Sequence, residues 1–246
     1  MEVTVIILAA GLGKRMKQNY PKVLTKLAGK ELIKYVLETV SQIGRSDIIA
    51  VIGFKGELVK DAVTPNFPGV KFALQAEQLG TGHAVMCTRE MIPENTTDIL
   101  VLCGDTPLIT SESLINLIQL HIESSSKATI LTADLPDPTG YGRIIRDGDG
   151  GVVGIVEQAD ATEEQRMIKE INSGVYIFKK EALLPNLDKL TSNNSQGEYY
   201  LTDIIRILFN SGEKISGLKA GDFHEILGVN TKEHLESLEE IIRGQR

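Results

Sequence analysis

The sequence predicts an α/β fold: a doubly wound, mostly parallel sheet carrying an antiparallel elaboration. Three observations point there. Through the first half, continuous apolar runs alternate with helix-period segments, as parallel strands buried on both faces and their crossover helices do. A glycine-rich stretch, LAAGLGKRM, follows the first apolar run directly, at the carboxyl end of a strand where doubly wound sheets bind ligands. The second half changes character around DGDGG, a hairpin signal.

The elements follow in order. Val3–Leu8 is a continuous apolar run and reads as a buried strand. Glu31–Ile43 sets Leu32, Ile33, Val36, Leu37, Val40 and Ile43 on one helical face. Ile48–Ile52 is a second buried strand, with a short helix near Glu57–Val63 and a strand at Val70–Leu74. Thr81 is placed to cap a helix running to about Met91. Ile99–Cys103 is a strand, Thr110 caps a helix carrying Leu114, Ile115, Ile118 and Ile122, and Thr129–Thr132 is a further strand. Gly142–Arg146 and Val152–Glu157 flank the hairpin turn, and Asn172–Phe178 extends the antiparallel part. Leu201–Phe209 and Glu233–Ile242 read as amphipathic helices. No composition break or internal repeat divides the chain, so residues 1–246 are expected to form one domain.

Bulk properties narrow the function. At 246 residues with 42% hydrophobic and 24% charged residues the composition is that of a globular protein. A formal net charge of −7 argues against non-specific nucleic-acid binding, which needs a basic face. Cys87 and Cys103 show no metal-ligand spacing, and two thiols suit a reducing compartment. The apolar start lacks a basic n-region and runs into the glycine loop, unlike a signal peptide. No stretch reaches the ~20 apolar residues of a membrane span. A cytoplasmic location is expected.

In the glycine-rich loop, Gly11 and Gly13 let backbone approach a ligand, and free N–H groups there favour anions. An ordinary tight turn accounts for glycines equally well. Met16 stands where the dinucleotide fingerprint needs its third glycine, and the Gly-Lys-Ser/Thr of a P-loop is missing. Arg15 and then Pro21-Lys22 follow instead; two cations beside an amide-rich loop suit a triphosphate.

LAAGLGKRM followed by PKVLTKLAGKELI resembles the signature of sugar-nucleotide pyrophosphorylases. The likeness continues in order through QAEQLGTGHA, CGDTPLI, YGRI, IVEQADA, INSGVYIF, QGEYYLTDII and LGVNT. It is strongest to the uridylyltransferase domain of the bifunctional N-acetylglucosamine-1-phosphate uridylyltransferase/glucosamine-1-phosphate acetyltransferases. The resemblance implies a Rossmann-like sheet of the nucleotide-diphospho-sugar transferase type. It implies Mg²⁺-dependent transfer of UMP from UTP to N-acetylglucosamine 1-phosphate, giving UDP-N-acetylglucosamine, a precursor for the bacterial cell wall.

The same resemblance distributes roles. Asp105, just after the apolar strand Ile99–Cys103, is placed to point into the ligand crevice, although Gly104-Asp105 also reads as the start of a turn. The family pattern makes it a magnesium ligand, with Asn230, otherwise a helix N-cap, as the second. Oxygen ligands suit Mg²⁺, which keeps waters and takes substrate phosphates. Arg15 and Lys22 are expected to stabilise the triphosphate in the transition state. Backbone near Leu8, Ala9, Ala10 and Gly11 and the side chain of Gln75 are expected at the uracil, with Gly80 and Thr81 completing that part and Cys103 and Gly104 along the crevice. Gly142, Glu157 and Asn172 fall to the sugar, with Thr202 and Tyr199-Tyr200 at its N-acetyl group. Taken singly, Gln75 reads as a loop residue, Thr81 as an N-cap, and Glu157 and Asn172 as strand residues.

The chain departs from many relatives in having Lys14 for Thr and Cys103 for Tyr. The β-helix of hexapeptide repeats that acetylates glucosamine 1-phosphate and makes a trimer in the bifunctional relatives is not expected in these residues. A related transferase for another sugar or nucleotide, a non-catalytic binding homologue and a nicotinamide-binding domain are the competing readings; the missing third glycine weighs against the last.

Overall fold

The protein was analysed as a computed structural model that describes residues 2–11, 13, 19–44 and 46–244. Strand β1 (Val3–Leu8) buries alternate faces, Val5 and Ile7 on one side and Ile6 on the other. Past the glycine loop, a one-turn 3₁₀ helix at Lys22–Leu24 leads to a small hairpin, β2 (Lys26–Leu27) and β3 (Lys30–Glu31), which the sequence pattern did not reveal. Helix α1 (Leu32–Ser41) buries Leu32, Ile33, Val36, Leu37 and Val40 of the predicted apolar face and ends before Ile43. Then come β4 (Asp47–Ile52), α2 (Gly56–Val63), β5 (Lys71–Leu74) and α3 (Thr81–Met86). The third helix is shorter than expected: a separate 3₁₀ turn covers Arg89–Met91. Gly80 occupies its N-cap position, and Thr81 is its first helical residue.

Strand β6 (Asp98–Cys103) is buried almost throughout. Helix α4 (Ser111–Ser124) is capped by Thr110 as predicted, its side chain accepting the Ser113 amide. Beyond β7 (Ala128–Asp134), the predicted hairpin appears as β8 (Arg143–Arg146) and β9 (Val152–Val156). A capping box of Thr162 and Gln165 starts the one-turn α5 (Glu163–Arg166). The remaining elements are β10 (Glu170–Lys179), α6 (Lys180–Leu187), α7 (Asp203–Asn210), β11 (Ile215–Lys219) and α8 (Lys232–Gly244).

The main sheet runs β11-β7-β10-β6-β1-β4-β5, with β8 and β9 added beside β10. All main-path pairs are parallel except those of β10, which is antiparallel to both β6 and β7. The sheet is therefore doubly wound and mostly parallel, but the antiparallel part is not merely laid over it: β10 is a central strand. Apolar cores cover both faces. Helices α1, α2 and α4 bury Val36, Val59 and Leu114 against one, and α3, α6 and α7 bury Val85, Leu183 and Ile204 against the other. Helix α8 packs separately, through Leu238 with Leu27 and Leu32.

Candidate functional site

The chain leaves β1 toward β4 and β5 on one side and returns to β6 on the other, so β1 and β6 flank a topological switch point, where open α/β sheets bind ligands beyond the strands' carboxyl ends. Leu8 and Cys103 stand opposite each other in register at that end. The Ala9 amide donates to Val51 O (2.9 Å) and the Gly104 amide to Leu8 O (2.9 Å). Ala9 was expected at the uracil and Gly104 along the crevice, but their amides are engaged in the sheet, and neither residue lines the cavities at this end of it.

At the centre lies a three-residue cluster. Lys22, aimed by the 3₁₀ turn after Pro21, places its ammonium against the Asp105 carboxylate and 2.7 Å from Asn230 Oδ1. The Lys22 and Asp105 side chains are only 13% and 19% exposed, so their attraction is less screened than at a surface. The Val229 amide donates to Asp105 O (3.0 Å), joining the loop before α8 to the end of β6. Asn230 does not cap that helix. Thr231 does, its hydroxyl accepting the His234 amide at 3.2 Å, and Asn230 is left for the crevice. Arg15 and Lys14 lie outside the described residues.

Two cavities meet at this cluster, and Leu8, Thr81, Cys103, Asp105 and Asn230 line both. The larger, 540 Å³, holds Ala10, Gly11, Gln75 and Gly80 of the predicted nucleotide residues. Gly80 has φ +106°, and a Cβ there would sit 2.6 Å from Tyr199 O, so glycine is what lets the QGEYY segment close against the cavity. Thr81 supports the same contact: its hydroxyl accepts the Leu201 amide at 3.0 Å. Gln78, Gln196 and Glu198 also line this cavity; the sequence reading assigned them nothing.

The smaller cavity, 310 Å³, collects Gly142, Glu157, Asn172 and Thr202, the predicted sugar residues, and adds Tyr176. The Thr202 hydroxyl donates to Glu157 Oε1 at 3.0 Å. Burial pushes the Glu157 carboxyl above its ordinary range, and Asp203, Asp160 and Glu198 add repulsion, against that one favourable hydrogen bond. Asn172 is presented by a bulge in β10, where the register shifts between Asn172 and Tyr176. Its Oδ1 accepts the Gly174 amide (3.1 Å) and its Nδ2 donates to the Tyr176 hydroxyl (2.6 Å). Tyr199 and Tyr200, expected at the N-acetyl group, line neither cavity. Tyr200 is buried, with its hydroxyl donating to Asp160 at 3.2 Å. Burial and the Asp105 charge push the Cys103 thiol up to about 12, so at neutral pH it is an uncharged wall between the cavities and no nucleophile.

The oxygens of Asp105 and Asn230 are held around a positive charge. A carboxylate and an amide carbonyl are the hard donors Mg²⁺ takes. Among the described residues, no cluster of three or more His, Cys, Asp and Glu could hold a metal by itself, so this pair suits a cation whose other ligands come from substrate phosphate and water.

Residues 4–222 match the model of the nucleotidyl transferase family. The chain is 48% identical over 242 residues to the bifunctional protein GlmU of Caldanaerobacter subterraneus subsp. tengcongensis, covering 98% of this chain and 52% of the relative. It is 46% identical over 243 residues to that of Clostridioides difficile, covering 99% and 52%. The chain thus spans about half the length of the curated relatives it matches. Among solved structures, that of a UDP-glucose pyrophosphorylase complexed with UDP-glucose superposes with a TM-score of 0.81 over 100% of both chains at 16% identity, a likeness of fold.

Proposed function

Because the chain belongs to the nucleotidyl transferase family, we propose that its two joined cavities hold UTP and N-acetylglucosamine 1-phosphate and that it transfers UMP from the first to the second. The observation that carries this reading is the meeting of a nucleotide-sized and a sugar-sized cavity at Lys22, Asp105 and Asn230. A sugar-phosphate oxygen in the smaller cavity attacks the α-phosphorus of a triphosphate in the larger; a new P–O bond forms as the bond to pyrophosphate breaks in line. The incoming phosphate monoester has a second pKa of about 6 and is mostly dianionic at neutral pH, so no side chain need take a proton. What the protein supplies is position and charge. Lys22 offers its ammonium to the phosphates, Gln75 meets the base, and Glu157 and Asn172 hold sugar hydroxyls. Asp105 and Asn230 would hold Mg²⁺, which when bound neutralises phosphate charge and the departing pyrophosphate. Arg15 is assigned to the triphosphate on the sequence pattern.

A cytoplasmic location fits a nucleotide-dependent enzyme with two free thiols. No helix among the described residues is long and apolar enough to cross a membrane. The deciding assay is pyrophosphate release from UTP and N-acetylglucosamine 1-phosphate, with Mg²⁺ and then with EDTA. Release that requires both substrates and the metal is expected. Release only with another triphosphate or sugar phosphate would move the substrate assignment, and none from folded protein across such a panel would sink the transferase reading.

A further inference from the structure

One polar pairing in the nucleotide cavity has a direction that chemistry fixes. Gln75 follows β5, its backbone amide donating to Ile52 O at 2.8 Å, and the residue is 3% exposed. Its side-chain Nε2 lies 3.0 Å from Gly80 O. A backbone carbonyl only accepts, so the atom facing it is the nitrogen; the reversed amide would set oxygen against oxygen. The same Nε2 lies 3.2 Å from His83 Nδ1. With its first proton on Gly80, the second reaches His83, whose Nδ1 must then be the unprotonated nitrogen. The imidazole proton falls on Nε2, 3.9 Å from Cys87 Sγ. Burial pushes the Cys87 thiol up, so that sulfur is a neutral, weak acceptor. Both amide protons of Gln75 are thus engaged inside the protein. Among the described residues no donor reaches its Oε1, and Gln75 lines the cavity.

We propose that His83 is a positioning residue for base choice: by accepting from Gln75 it holds the amide so that the cavity meets a hydrogen-bond acceptor and no donor. This rests on the reading that the larger cavity takes a uridine nucleotide. Uracil carries a donor at N3–H and satisfies that acceptor. Cytosine carries an unprotonated, accepting N3 and sets lone pair against lone pair. His83 touches no substrate in this scheme; it acts through Gln75. The alternative is that His83 only packs, its ring centroid 6.4 Å from that of Tyr199.

Two measurements separate these. In the free protein, ¹⁵N–¹H correlation of the histidine side chains should show His83 as the Nε2–H tautomer; an Nδ1–H or doubly protonated ring at neutral pH overturns the proposal. In steady-state kinetics at saturating sugar phosphate, a site built around a ligand N–H can reject an analogue lacking it by ~10⁴–10⁵-fold, so wild-type protein should refuse CTP and N3-methyl-UTP. His83→Leu, which removes the acceptor but keeps bulk, should narrow the UTP-over-CTP ratio on the order of 10-fold or more, chiefly by raising KM for UTP with kcat little changed. His83→Asn, whose amide oxygen can replace the ring nitrogen as acceptor, should restore most of the ratio. An unchanged ratio in His83→Leu overturns the proposal, as does a drop in kcat alone. Were wild-type protein to accept UTP and CTP equally, the uridine reading would fall and base choice with it. Were it to turn over neither nucleotide, the tautomer would still decide which way Gln75 is held.

Discussion

At the residue scale, two carboxylates in one crevice are set to different tasks by their surroundings. Asp105 shares the Lys22 ammonium with Asn230, so its carboxylate is presented to a cation. Asp105→Ala should lower turnover by on the order of 10²–10³ or more, as loss of a preorganised charge stabiliser does, with the far-ultraviolet circular dichroism unchanged. Normal turnover with Mg²⁺ would remove it from the metal site. Glu157 instead sits where burial opposes charge. A carboxyl with a raised folded pKa carries a cost above that pKa, and the cost disappears below the ordinary carboxylate range of about 4, where both states are protonated. Glu157→Gln should therefore stabilise the free protein at neutral pH by roughly 1 kcal/mol, a gain that shrinks as pH falls toward 4. It should also raise KM for the sugar phosphate. Thermal melts across pH check the first expectation and initial rates the second; a destabilised variant at pH 7.5 would contradict the sign. Both carboxylates were legible because each ends or follows an apolar run inside a segment that carries the family resemblance, CGDTPLI or IVEQADA. Tyr176 was not, because an aromatic in an apolar strand run reads as core, and its hydroxyl finds its partner, Asn172 Nδ2, only across the bulge. Gln196 and Glu198 were missed because what brings them in is the close approach of their loop to Gly80, a contact between segments distant in sequence.

At the element scale, β6 is anchored at one end and functional at the other. Its first residue, Asp98, is buried and bonded to His121 Nε2 (3.1 Å), Lys179 Nζ (2.7 Å) and the Thr97 hydroxyl (2.6 Å). His121 in turn meets Thr129 Oγ1 at 2.9 Å. One carboxylate thus ties together α4, β6, β7 and the end of β10. Burial works against its charge, but these partners outweigh burial and hold the carboxyl well below its usual range. Its stabilisation is present above the ordinary carboxyl pKa and is lost as pH falls below about 4. Asp98→Asn should lower unfolding free energy by ~3–5 kcal/mol at neutral pH, as breaking a buried ion pair does. The difference from wild type should narrow in acid. The strand is six residues long, so its carboxyl end lies roughly 17 Å away. Activity of the folded variant at low temperature should be retained; a fall in kcat there would mean the network reaches the site. The sequence showed β6 but not this anchor, since a histidine on an apolar helix reads as an interruption until its partners on other strands are known. Strand β11 escaped for a related reason. Ser216 and Gly217 interrupt its apolar pattern, and it exists because β7 offers a parallel edge. In α6, Pro185 hides a helix whose Ala182, Leu183 and Leu187 are buried.

At the scale of the whole molecule, β10 governs how binding and stability connect. The larger cavity is lined mostly by residues 8–105 and the smaller mostly by residues 140–202. Had the antiparallel half been laid over a finished parallel sheet, as its sequence suggested, the two parts could unfold separately. Instead β10 lies between β6 and β7, so the first half's sheet is completed by a strand from the second. The bulge on that strand carries Asn172, and the same strand pairs with β8 of the β8–β9 hairpin. Neither part keeps its core without the other, and a single cooperative unfolding transition is expected. Ligand linkage then makes a test. A ligand present at 100 times its Kd stabilises the native state by ~2.7 kcal/mol. For a chain of this length that raises Tm by roughly 5–10 °C, at about 2–4 °C per kcal/mol. UTP with Mg²⁺ should move the entire transition by that amount, and UDP-N-acetylglucosamine, which would fill both cavities, should do the same without splitting it. In Asp105→Ala the Mg²⁺-dependent part of the UTP shift should vanish while the transition stays single. Two resolved calorimetric transitions, with UTP shifting only one of them, would show instead that the halves fold independently and that β10 is a seam rather than a shared core strand.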